Sequence, residues 1–147
     1  PTRVINMPPP SEESMKTAIF GFLIYLTSLF LLMCIQSFTK PIVLTQMRRS
    51  NPSAKVSYFD AKYYNNKNKL AIAGDRGFGN AHEQSMFFIP LYWLHVYCVG
   101  ADDLVAVSII YGLTRLLYVP LSMMNDNGSM RKFKYVFVST VPGYGVL

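Results

Sequence analysis

"TAIFGFLIYLTSLFLLMCIQSF", residues 17–38, carries no charged side chain and is bounded by Lys16 and Lys40. As a helix rising about 1.5 Å per residue it covers roughly 33 Å, against a bilayer hydrocarbon core of about 30 Å. This stretch decides the fold class: a membrane-spanning helix. Pro41 follows, and the helix can kink there and continue through "IVLTQMRRS", residues 42–50.

Three further apolar segments extend the pattern. No Asp, Glu, Lys or Arg lies between Glu83 and Asp102, which gives a second span near residues 85–99. Residues 104–124 form a third, with Arg115 its one charge. The fourth, "YVFVSTVPGYGVL" at 135–147, is short, broken by Pro142 and Gly143, and marginal as a span. The expected fold is therefore all-α, a transmembrane four-helix bundle with a short, marginal fourth helix. Residues 1–14 form an extramembrane tail and 15–147 the helical domain.

Charge orders the connections. Residues 39–81 hold Lys40, Arg48, Arg49, Lys55, Lys62, Lys67, Lys69 and Arg76 against Asp60 and Asp75, and are expected to form a long basic loop. The turn "GADD" at 100–103 has no basic residue, and "NDNGSMRKFK" at 125–134 is basic again. By the positive-inside rule the basic connections share one side, facing cytosol, matrix or stroma, and the N-terminus and acidic turn face the other. The formal glycosylation sequon at Asn127 then lies on the side where it is not used. The net charge of +6 follows from this topology rather than from a nucleic-acid partner. With 51% apolar and 14% aromatic residues, the expected setting is a multi-pass protein of an organelle or endoplasmic reticulum membrane. The tail "PTRVINMPPPSEE" has no apolar core of a signal peptide, and its start at Pro1 suits a removed presequence. No internal repeat is visible, which disfavours a transporter of inverted halves.

Cys34 and Cys98 each lie near the C-terminal end of an apolar run, so antiparallel neighbours would hold them near opposite membrane faces and unbridged. No His/Cys cluster has metal-ligand spacing, and no metal is expected. Tyr111, Arg115, Tyr118 and Ser122 fall at i, i+4, i+7 and i+11, one stripe of a helix. A guanidinium near mid-membrane costs several kcal/mol unless paired or wet, so Arg115 faces protein or water. It is either part of an anion site lined by phenols or a structural cation that binds carbonyls or a carboxylate. Ser108 and Gly112, a small-xxx-small pair, permit close helix packing. On the second span Asn80, Gln84 and Phe87 share a face, with His82 and Glu83 pointing elsewhere. His82 and His95 read most simply as hydrogen-bonded structural residues, and Trp93 as packing or interfacial.

Three motifs carry a resemblance: "QMRRSNP" (46–52), "NAHEQSMFFIP" (80–90) and "YGLTRLLY" (111–118). Together with the order of the spans they resemble the MAPEG family, the membrane-associated proteins in eicosanoid and glutathione metabolism, over residues 15–140. The family signature reads roughly Arg-Ala-His/Gln-x-Asn-x-x-Glu-x-x-Pro. The resemblance implies a four-helix transmembrane bundle, usually a homotrimer, with glutathione bound between subunits. It makes Arg49 the residue that stabilises the glutathione thiolate, with Arg48, His82, Gln84, Arg115 and Tyr118 as the remaining cofactor-binding positions. The chain departs from the pattern where charge is needed. Asn80 replaces the signature Arg, Phe87 replaces the Glu, and Ser122 replaces a second Tyr of the helix-three site. Arg131 stands two residues out of register with a further Arg. Each lost charge-assisted hydrogen bond costs about 1.5–3 kcal/mol, so two losses weaken binding roughly a hundredfold or more.

The expected function is a MAPEG-like membrane protein with an eroded glutathione site, acting as a scaffold or accessory subunit of a larger membrane complex and lacking a cofactor. Its partners are membrane lipids and other subunits or two further copies. One alternative is a glutathione transferase or peroxidase acting on lipophilic electrophiles, with glutathione as cofactor. Another is a lipid- or pigment-binding module.

Overall fold

The computed structural model describes residues 9–64, 68–124 and 141. Among them the chain is all-helical: α1 (Glu12–Ser50), a short π-helical segment (Asp60–Tyr64), α2 (Lys69–Cys98) and α3 (Leu104–Met123). The expected fourth span, Asn127, Arg131 and the tail 1–8 lie outside the described residues.

Helix α1 begins where Ser11 Oγ accepts from the Ser14 amide at 3.1 Å. Glu12 and Glu13 occupy the first turn and Arg48 and Arg49 the last, so both ends suit the helix dipole. Pro41 does not end it. The ring removes one backbone donor, and the helix runs on because Thr39, Lys40 and Val43 are buried against the rest of the protein. The result is a single helix of 39 residues, on the order of 58 Å long.

Helix α2 starts at Asn68, whose Oδ1 accepts from the amides of Leu70 (3.0 Å) and Ala71 (3.3 Å). Its buried stripe is graded by size, with Ala71, Gly74, Gly77, Ala81 and Ser85 in the first half and Phe88, Tyr92 and Val96 in the second. The small half lets α1 and α3 approach: a Cβ on Gly74 would lie 2.9 Å from Thr39 Oγ1, and one on Gly77 2.5 Å from Val119 Cγ2. A tight turn at residues 99–103, with Gly100 at φ +131, reverses the chain into α3. There Ser108 and Gly112 fill their expected role. A Cβ on Gly112 would meet Ser28 Cβ at 2.9 Å, so α1 and α3 are close-packed at that level.

The three helices run up, down and up, with α1 packed against both others. Phe88, Tyr92, Tyr25 and Tyr111 form the core at the α2–α3 turn end, Leu32, Ala81 and Val119 the middle, and Val43, Ala61 and Ala71 the end near the loop. The outer faces are apolar as well: Phe20, Phe30 and Phe38 on α1 are 59%, 58% and 67% exposed, and Ile109, Leu113 and Leu117 on α3 are exposed too. Two helices, α1 and α3, are long and apolar enough to cross a membrane.

Two expected boundaries are corrected. The basic stretch 39–81 is not one loop. Residues 39–50 complete α1 and 69–81 open α2, leaving 51–68 as the connection around the π-helical segment. The second apolar segment, expected at 85–99, is the C-terminal half of a helix twice that length. Charged residues marked an exit from the apolar zone, and helices continue past it because Lys, Arg, Gln and Ala are good helix formers.

Candidate functional site

Five of the six proposed glutathione-site residues fall into two groups, and His82 stands apart as an exposed residue two positions from Gln84 on α2. At mid-bundle, Arg115 is 3% exposed and its guanidinium carbon lies 4.8 Å from the centroid of the Tyr111 ring. The Tyr111 hydroxyl donates to Gln84 Oε1 at 3.3 Å, which joins α3 to α2. Tyr118 is buried one turn further on, while Ser122 is half-buried and donates to the Val119 carbonyl. Gln84, Arg115 and Tyr118 are therefore neighbours in level, as the helical stripe requires. Arg115 faces protein: a cation on an aromatic face, in the interior of the bundle.

The second group is distant. Arg48 and Arg49 close α1 and are both exposed. Arg48 is committed to the loop, with Nε and Nη2 donating to the Val56 carbonyl at 3.3 and 3.2 Å. Leu32 packs with Val119, one turn beyond Arg115, and Arg49 lies seventeen residues further along α1, roughly 25 Å. An extended tripeptide spans only about 11 Å. One glutathione therefore cannot touch both groups within a single chain.

The face expected to carry the site on α2 is displaced. Asn80 and Gln84 are half-buried, but Phe87 is 67% exposed, and its neighbour Phe88 occupies the core at 2%. His82 is exposed and stacks on Phe78, centroids 5.9 Å apart and rings 13° from parallel. Glu83 is exposed. His95 is half-buried in the last turn of α2, where its carbonyl accepts from the Val99 and Gly100 amides. Trp93 packs on Phe22 and Tyr92. Cys34, two residues past Leu32 at mid-bundle, and Cys98, the last residue of α2, are free thiols, so only Cys98 lies at an end of the bundle.

Two polar arrangements were not read from the sequence. Tyr25 on α1 donates to Ser85 on α2 within a stack of Tyr25, Phe88 and Tyr111, and Tyr92 donates to the Ala18 carbonyl at 2.6 Å. Each hydroxyl satisfies itself across a helix pair, which apolar surroundings demand. Near the loop end, Asp75 receives Lys40 Nζ on one oxygen and Gln36 Nε2 (3.0 Å) on the other. Lys40, whose side chain is 8% exposed, and Asp75, 43% exposed, thus clamp α1 to α2. The available signal was Lys40 and Gln36 at i and i−4 on one helix, facing one of only two Asp residues in 39–81.

Among the described residues, the clefts at the loop end include three. One of about 460 Å³ is lined by Arg48, Lys55 and Ser57 among others, a second of about 520 Å³ by Gln46, Asn51 and Asn68, and a third of about 350 Å³ by Lys62, Tyr63, Asp75 and Arg76. None of these three is lined by His82, Gln84, Arg115 or Tyr118. Among the described residues no cluster of His, Cys, Asp and Glu could hold a metal ion. Comparison with protein-family models, with curated proteins and with solved structures finds no match to this chain.

Proposed function

We propose that the protein is a multi-pass membrane protein of MAPEG-like ancestry whose glutathione site is eroded, serving as a scaffold or accessory subunit of a larger membrane assembly. The observation that carries this reading is the division of the candidate residues. At mid-bundle Arg115 and Gln84 both engage the protein's own Tyr111. Arg48 and Arg49 lie roughly 25 Å away, and Arg48 is bound to the loop. The apolar outer faces of α1 and α3 support lateral packing in a bilayer, with the loop of 51–68 on the positive side and α2 crossing alongside them.

The alternative, a glutathione transferase, draws on Arg49, His82 and Phe87 being exposed together with the family habit of binding between subunits. The two readings separate on one assay. Purified protein is expected to show no glutathione-dependent conjugation of a generic electrophile and no thiolate absorbance with glutathione. The tripeptide must dwell with its sulfur near Arg49, and Phe87 offers its amino group no partner. Asn80→Arg with Phe87→Glu is expected to restore part of the binding. Robust turnover by the unmodified protein overturns the eroded-site reading.

A further inference from the structure

Beyond the spanning helices, the connection 51–64 carries side chains for which the glutathione reading has no use. Tyr58, Phe59 and Tyr63 are 49%, 56% and 59% exposed, an unusual outlay of aromatic surface on a basic connection. Phe59 and Tyr63 lie 4.7 Å apart between centroids, and Lys62 Nζ sits 4.9 Å from the Tyr63 ring. The segment is not loose. Ala61 is 1% exposed and packs with Val43 of α1 and Ala71 of α2. That contact fixes its depth. Val43 lies five residues past Phe38, the end of the charge-free stretch, or about 7.5 Å along the axis. The headgroup zone is about 5–8 Å thick on each side of the hydrocarbon core. The aromatic edge therefore stands at headgroup level, where Tyr and Phe side chains are stable half-immersed.

Charge agrees with depth. The cleft of about 350 Å³ beside this edge is lined by Lys62, Tyr63 and Arg76 together with Asp75. The Asp75 carboxylate is paired with Lys40, and the Asp60 carboxylate within the segment is held by the Ser57 amide and hydroxyl, so Lys62 and Arg76 set the charge of the cleft. We infer that the segment Tyr58–Tyr63 is an interfacial foot which docks on anionic phospholipid headgroups of the leaflet on the loop side, its aromatics entering the interface and Lys62 and Arg76 holding the phosphate. This rests on the membrane-spanning reading of α1.

Tryptophan depth measurement tests it on the full chain with Trp93→Phe, reconstituted in mixed bilayers of anionic and zwitterionic phospholipid. Phe59→Trp, and independently Tyr63→Trp, supplies the reporter, and bromines near the acyl carbonyl are placed on one lipid or the other. The introduced indole is expected to be quenched, and more by the anionic lipid. Lys62→Gln with Arg76→Gln is expected to lower that preference on the order of tenfold. Phe30→Trp, on the exposed mid-span face of α1, reports the spanning reading separately through deeply placed bromines. Quenching at Phe30→Trp with none at either foot position overturns the docking and leaves the span intact. Quenching at none of the three overturns both. Equal quenching by the two lipids at the foot overturns the assignment to anionic headgroups.

Discussion

At the scale of single residues, two glycines that look alike in sequence have opposite consequences. Gly112 faces Ser28 so closely that an added Cβ would lie 2.9 Å from that residue's own Cβ, which is anchored to backbone. Gly112→Val is expected to destabilise by about 1–3 kcal/mol through overpacking. Gly79 on α2 has nothing within 4 Å, so Gly79→Ala is expected to stabilise by roughly 0.5–1 kcal/mol from helix propensity. Thermal unfolding in detergent reads both, and a Gly112→Val protein as stable as the parent would contradict the close α1–α3 contact. Arg115→Leu is expected to lower the same midpoint or disrupt assembly, because the buried cation covers the ring of Tyr111, the α3 residue whose hydroxyl bonds Gln84 of α2. An unchanged or raised midpoint would show that Arg115 is not integral to the packing. Arg115 was legible from its position in an apolar span, since a buried cation must face protein. Phe88 was not distinguished from Phe87, because in a run of consecutive apolar residues hydrophobicity alone does not fix which one faces inward.

At the scale of elements, the sequence marks where the chain leaves the apolar zone more clearly than where a helix ends. The basic residues of 39–81 signalled a long loop while Pro41 left the helix free to continue through 42–50, and α1 does run to Ser50, because Lys40 finds Asp75 and Val43 finds Ala61 and Ala71. Such partners lie between 18 and 35 residues away in the chain, beyond the reach of periodicity. The Lys40–Asp75 clamp yields its own expectation. Lys40→Ala leaves half-buried Asp75 with only Gln36 and is expected to cost about 1.5–3 kcal/mol, and a double-mutant cycle with Asp75→Ala gives the coupling. Coupling near zero would contradict the clamp. The connection itself is closed by a reciprocal pair: the Ser57 amide and hydroxyl donate to Asp60 Oδ2 at 2.8 and 2.7 Å, and the Asp60 amide donates to Ser57 Oγ. These hydrogen bonds hold the Asp60 carboxyl below its ordinary value. A depressed carboxyl contributes stability above the ordinary range and loses it as pH falls through the lowered value. The protection factor of the Ser57 amide, its exchange relative to the intrinsic rate at each pH, is expected to fall on acidification below about pH 4, and Asp60→Asn to abolish that fall. A pH-independent protection factor in the parent would contradict this account.

At the scale of the whole molecule, three helices present apolar surface outward while their polar side chains bond inward: Tyr25 to Ser85, Tyr111 to Gln84, Lys40 to Asp75. In water the exposed phenylalanines of α1 would be costly, and a bilayer or neighbouring helices remove that cost. The all-helical class and the apolar lengths of α1 and α3 were readable from the charge-free runs. The division of the candidate site was not, because Arg49 and Arg115 are brought near or kept apart only by how far α1 overruns α3. If the loop at 51–68 and the turn at 99–103 lie on opposite sides, cysteines introduced at Lys55 and Asp102, with Cys34 and Cys98 replaced by Ser, will label from different faces of a sealed membrane. Labelling from one face would contradict the bundle's orientation. The most direct test of the central claim is the native size and composition of the particle extracted with mild detergent. The proposed accessory subunit is expected to migrate in an assembly larger than three copies of itself and to bring other membrane chains with it. A solitary homotrimer that turns over glutathione would contradict it.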